Sequence, residues 1–223
     1  MPSDVGSSLR GQVVLITGGA GYIGHQLALS CARVGAAEVR AFDRGFAPHV
    51  RRTLDACACK SVCLSGDVRD TSAVRAACVG VTAVIALAGY GMSGAPMLDS
   101  VGCDSVNVVG TQVLLEAAAA EALDRLRAEP PGAAAAAGAG GVRVVYMSSP
   151  NVVYGGDRIV AGDETLEYFP ESERRSDEYS PSKARAERAV LAADAARDDD
   201  VGTIGALRTC AIRPGAIHGG HEV

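Results

Sequence analysis

The segment Thr17-Gly18-Gly19-Ala20-Gly21-Tyr22-Ile23-Gly24 constrains this chain more than any other. It follows the β-branched run QVVLIT at 12–17 and opens a helix-compatible stretch at 24–34. Strand, tight turn and helix in that order mark the entrance to an α/β unit. Gly18 and Gly19 permit a turn with unusual φ. Gly21 lets the backbone approach a pyrophosphate, which then rests on the helix N-terminus. Gly24 allows close packing of helix on sheet. The spacing therefore points to a dinucleotide.

The rest of the chain repeats the alternation. Apolar, β-rich runs at 38–43, 61–66, 82–88, 143–147 and 206–212 read as strands. Helical patterns fall after Asp67, with Asp70 or Thr71 as N-cap, then from about 103 to 127 and from 179 to 196. Runs without in/out alternation are covered on both faces, as in a parallel sheet. The fold class expected is α/β, a doubly wound parallel sheet of the NAD(P)-binding Rossmann type. Residues 1–10 read as a tail and 11–223 as one domain, interrupted near 128–141 by the low-complexity stretch AEPPGAAAAAGAGG, an expected exposed insertion. Residues 172–176, SERRS, read as a charged surface loop.

Chemistry-bearing residues fall at the strand ends. Asp43 closes the second strand, 19 residues beyond Gly24. A carboxylate there accepts from ribose hydroxyls and repels a 2′-phosphate, which favours NAD over NADP, although the adjacent Arg44 suits the phosphate. Asp67 stands either at the adenine edge or as a helix-start carboxylate. Tyr179 and Lys183 form Y-x-x-x-K, and on a helix i and i+4 share a face. An ammonium beside the phenol would lower its pKa and let it exchange a proton with a substrate hydroxyl. Pro181 suits the first turn of that helix. Ser148 and Ser149 end the fifth strand, where a hydroxyl would hold the substrate oxygen beside Tyr179.

Bulk properties exclude other classes. A formal charge of −5 offers no basic footprint for nucleic acid. Seven scattered cysteines without a secretory leader read as reduced thiols of an intracellular, cytoplasmic enzyme. Cys57, Cys59 and Cys63 lack a fourth partner at ligand spacing, so no metal is expected. The start has no apolar signal region, and no run reads as a membrane span.

In sequence order, TGGAGYIG, VIALAG, VNVVGT (106–111), VVYMSS, YSPSK and RPGAIHGG (213–220) resemble an extended short-chain dehydrogenase/reductase. GYGMSG (89–94), NVVYGG (151–156) and LRTCAIRPGAIHG (207–219) are most similar to the 3β-hydroxysteroid dehydrogenase/isomerase and sterol dehydrogenase branch, its 42E subgroup above all. The resemblance implies catalytic roles for Ser149, Tyr179 and Lys183. It places Val68, Leu87, Ala88, Pro214 and Ile217 with Gly18, Gly21, Tyr22, Ile23, Gly24, Asp43 and Asp67 around NAD. It makes Asn107 an organiser of the fourth helix, with a plain polar cap as the alternative. The implied substrate is sterol- or steroid-like; a nucleotide-sugar epimerase or dehydratase, a flavonoid-type reductase and a non-catalytic NAD-binding module are the alternatives. A homodimer through the helix at about 103–127 and the Tyr179 helix follows by analogy. Ala86 stands where the family carries His, His218 where Tyr is common and Gly220 where Pro is common. The family's C-terminal substrate region is expected to be largely absent here, and with it any anchor to the endoplasmic reticulum membrane.

Overall fold

The computed structural model describes residues 9–128, 141–170, 177–195, 207–215 and 217. Most of the tail, residues 129–140 of the 128–141 insertion, the 172–176 loop, His218 and Gly220 lie outside the described residues.

Six strands form one sheet in the order β3-β2-β1-β4-β5-β6. They are β1 (Val13–Thr17), β2 (Glu38–Asp43), β3 (Lys60–Ser65), β4 (Ala83–Ala86), β5 (Val142–Met147) and β6 (Leu207–Ile212). Every pairing is parallel. The order reverses between β1 and β4, and ligands of such sheets bind at the carboxyl ends of the strands beside that reversal. The expected doubly wound parallel sheet is what forms.

Two hydrophobic cores sandwich the sheet. Leu15, Val84, Val144 and Tyr146 face one core with Leu114, Ala118 and Val190. Val14, Ile16, Val39 and Ala41 face the other with Ala28, Val50 and Leu54. Strands with both faces buried explain the near-continuous apolar runs.

The helices are α1 (Tyr22–Arg33), α2 (Pro48–Asp55), α3 (Thr71–Cys78), α4 (Ser100–Cys103), α5 (Gly110–Ala128) and α6 (Tyr179–Ala195). Asp70 is the N-cap of α3, its side chain accepting from the amides of Ser72 and Ala73. Helix α2 was not anticipated. Its signals are short: Pro48 in the first turn and the i,i+4 pair Val50 and Leu54, both buried. The helix expected from 103 to 127 is instead α4, a π-helical segment Asp104–Val109, and α5. By length and composition the run Ser100–Ala128 passes as a membrane span, contrary to the sequence expectation. Leu114, Leu115, Ala117, Ala118 and Ala122 of that run pack into the core, so its apolarity serves the sheet.

Candidate active site

The glycine loop forms a cradle. Gly18 has φ +72°, open to residues without Cβ, and a Cβ there would stand 3.0 Å from the Ala88 amide nitrogen. At Gly24 a Cβ would lie 2.1 Å from the Gly18 carbonyl oxygen. Two assigned reasons change accordingly. Gly24 makes room for the loop's own carbonyl rather than for the sheet. Gly19 has no positive φ; it is glycine because a Cβ would meet that of Ala41 at 2.7 Å. Helix α1 then starts at Tyr22 with no side-chain cap and no acidic residue in its first turn. Uncapped amides carrying the positive end of the helix dipole suit a pyrophosphate.

Two clefts share this loop. The smaller, about 230 Å³, is lined by Asp43, Arg44, Asp67, Val68, Leu87 and Ala88. Asp43 Oδ2 accepts from the Ala20 amide at 3.0 Å and Oδ1 from the Arg44 amide at 2.7 Å, which fixes the carboxylate at the end of β2. A carboxylate has acceptor sites left for two ribose hydroxyls. Asp67 is gripped by Arg69, whose Nη2 and Nε donate at 2.6 and 2.8 Å. That hydrogen bonding, against a smaller burial effect, holds its carboxyl at about 2. Asp67 is therefore a cleft residue, and the helix-start role belongs to Asp70.

The larger cleft, about 610 Å³, collects Gly18, Gly21, Tyr22, Ile23, Gly24 and Leu87 at one end and Ser149, Tyr179, Lys183, Pro214 and Ile217 at the other. The two clefts together thus hold every site residue read from the sequence. Ser149 caps a short 3-10 turn by accepting from the Asn151 amide at 3.3 Å. Ser148 donates instead to Glu187 and is taken by that bond.

One electrostatic expectation is overturned. Tyr179 is not pulled down by Lys183; burial, then Asp177 and Cys103, push its phenol up. The i,i+4 spacing puts the two residues on one face but leaves the long lysine chain free to choose its partner. Lys183 Nζ donates to the Met147 carbonyl at 2.5 Å and lies 4.1 Å from the Tyr146 ring centroid. Burial lowers the Lys183 pKa to about 7, with Glu187 acting in the opposite direction.

Two supporting groups surround this end. Asn107, fully buried in the π-helical segment, accepts from the Tyr90 amide at 2.8 Å and donates to the Tyr90 carbonyl and to Ser182 Oγ, both at 2.9 Å. It ties the loop after β4 to the first turn of α6, so the polar-cap alternative for Asn107 falls. Glu187, which the sequence reading passed over, gathers Ser148, Tyr168 and Arg213. Its signal was the spacing Tyr179, Lys183, Glu187 along one helical face. Burial acts to raise its pKa, but the bonds from Arg213, Ser148 and Tyr168 win and hold it below the usual carboxylate range.

A parallel sheet in this order, a glycine cradle on an uncapped helix and a Tyr/Lys pair across the cleft define a dinucleotide-binding protein of the short-chain dehydrogenase/reductase superfamily. The chain belongs to the NAD dependent epimerase/dehydratase family, whose profile matches residues 14–221. It is 37% identical over 216 residues to short-chain dehydrogenase/reductase family 42E member 1 of Mus musculus, covering 95% of this chain and 47% of that protein. It is 37% identical over 210 residues to 3 beta-hydroxysteroid dehydrogenase/Delta 5-->4-isomerase of Mycobacterium tuberculosis, covering 92% of this chain and 47% of that protein. Among solved structures, MoeE5 in complex with UDP-glucuronic acid and NAD superposes with a TM-score of 0.65 at 26% identity, covering 90% of this chain and 54% of that one. The chain spans about half the length of the curated relatives it matches. The expected cofactor, NAD, agrees with the family's description.

Proposed function

We propose that this chain carries the NAD-binding and proton-transfer half of an oxidoreductase acting on the CH–OH group of a 3β-hydroxysteroid- or sterol-like substrate. The observation that carries the reading is the convergence of Ser149, Tyr179 and Lys183 on the cleft whose other end is the glycine cradle. NAD supplies hydride acceptance when bound. The loop and the α1 N-terminus hold its pyrophosphate, Asp43 its adenosine ribose, and Pro214 and Ile217 wall its nicotinamide end. Ser149 Oγ orients the substrate oxygen. Tyr179 exchanges the hydroxyl proton, and Lys183 supplies the cation that makes a phenolate accessible. The buried phenol is protonated as it stands, which is the form that donates in the carbonyl-reducing direction. Oxidation of an alcohol requires the Lys183 ammonium to face the phenol instead of Met147.

The substrate class rests on the resemblance to the 42E and mycobacterial proteins and on the lining of the cleft. Leu87, Met92, Pro150, Pro214 and Ile217 line it, and Lys183 is the charged side chain among its described lining residues. A sugar diphosphate calls for more cationic contacts than that. The nucleotide-sugar reading is the second one, favoured by the likeness to MoeE5.

The test is a titration of the 223-residue chain with NADH and with NADPH, followed by nucleotide fluorescence, beside Tyr179→Phe. NADH preferred, with Tyr179→Phe binding equally well, supports the reading; no binding of either nucleotide sinks it for this chain. A sterol and nucleotide-sugar turnover panel on a longer form then separates the two substrate classes.

A further inference from the structure

Glu187 lies one turn beyond Lys183 on the face of α6 that starts with Tyr179, and is 1% exposed. Its Oε1 accepts from Tyr168 Oη at 2.9 Å and from Arg213 Nη2 and Nε at 2.6 and 3.0 Å. Its Oε2 accepts from Ser148 Oγ and, at 3.3 Å, from Arg213 Nε. Ser148 directly precedes Ser149, and Arg213 directly precedes Pro214. One carboxylate therefore joins three segments: the end of β5, the end of β6 and the helix of the Tyr/Lys pair. The strand ends also meet through the Ser148 amide and the Ile212 carbonyl at 2.8 Å. Stability alone is a weak reason for the arrangement, because a buried ion pair gains little over apolar side chains of the same size.

We propose that Glu187 is a positioning residue for the reacting end of the cleft: its carboxylate locks the Ser149 and Pro214 backbones to the helix face of Tyr179 and Lys183, and its negative charge faces the Lys183 ammonium one turn away. The other groups about this pair are Tyr146 from β5, Tyr179 on α6, Arg213 after β6, and Tyr168, which carries Arg188 over its ring. The inference rests on the cleft being the nucleotide site, but its main test needs no nucleotide.

The chain has two lysines, Lys60 and Lys183, so biosynthetic labelling with lysine carrying carbon-13 at Cε yields two signals, with the exposed Lys60 as internal control. In the wild type Lys183, lowered by burial, is expected to titrate with a midpoint of about 7. In Glu187→Gln the anion is gone while the shape is kept, and the midpoint falls by roughly one pH unit. A merely structural role predicts the opposite: a loosened pocket admits water and raises the midpoint. An unchanged or raised midpoint overturns the proposal. Should Glu187→Gln not fold by circular dichroism, Arg213→Met is compared with Glu187→Met/Arg213→Met, which removes both charges together. The double variant titrates lower than the single one, and equal midpoints overturn the proposal. In the nucleotide titration Glu187→Gln weakens NADH about tenfold; unchanged affinity overturns the positioning part. A wild type that ignores NADH refutes the nucleotide reading, while the lysine titration still decides the coupling of Glu187 to Lys183.

Discussion

Asn107 Nδ2 donates to Ser182 Oγ at 2.9 Å, and Ser182 Oγ in turn donates to the Tyr179 carbonyl at 2.7 Å. The turn that carries the phenol is thus held from the π-helical segment, a local irregularity of the kind often found at functional sites. Asn107→Ala leaves the part-buried Tyr90 amide without its acceptor and the Tyr90 carbonyl with only the long Cys103 Sγ contact at 3.9 Å. The expected cost is about 2 kcal/mol, read as a lower urea midpoint with an unchanged slope.

Adding a methyl group at the cradle tests the nucleotide loop. Gly24→Ala puts a Cβ 2.1 Å from the Gly18 carbonyl oxygen, so the turn must open. Roughly tenfold weaker NADH binding is expected, a change of about 1.4 kcal/mol. Gly45→Ala, where a Cβ meets nothing within 4 Å, is the control and binds as the wild type does. Equal affinity in both variants would place the pyrophosphate elsewhere.

Asp43 and Arg44 stand side by side at the end of β2, both lining the smaller cleft. Asp43→Asn keeps the shape but removes the charge that repels a 2′-phosphate. The ratio of NADPH to NADH affinity is expected to rise about tenfold. Competition fluorescence with the two nucleotides measures it directly.

The buried Lys183 makes stability depend on pH. Its folded pKa is lowered from 10.5 to about 7, so between those values the unfolded chain binds the extra proton. Stability therefore rises with pH across that window: the penalty is complete below pH 7 and gone above 10.5. Lys183→Met removes the titrating group. The variant is expected to be more stable than the wild type at pH 7, with the gap closing towards pH 10. Urea unfolding at the two pH values checks this, and a constant gap would contradict it.

Much of this arrangement was legible in the residues. The glycine spacing after QVVLIT, the apolar strand runs and Y-x-x-x-K each carry a local physical meaning, and they were enough to read the parallel sheet and to name Ser149, Tyr179 and Lys183, which meet at the larger cleft, and Asp43, which lines the smaller one beside it. Local pattern read less well where the signal was short, as at α2, or where a π-helical segment leaves the apolar pattern of a helix unchanged, as at Asp104–Val109.

What the sequence determined by itself was the set of groups and the element that each one rides on, because spacing along a helix or strand fixes which side chains share a face. Only the tertiary structure decided their partners. It gave Gly19 and Gly24 their steric reasons, turned Lys183 to the Met147 carbonyl, engaged the Ser148 hydroxyl with Glu187, and made Glu187 the joint between β5, β6 and α6. These are choices among acceptors and neighbours far apart in the chain, and they are settled by burial, because a buried polar group must be satisfied by whatever the packing brings within reach.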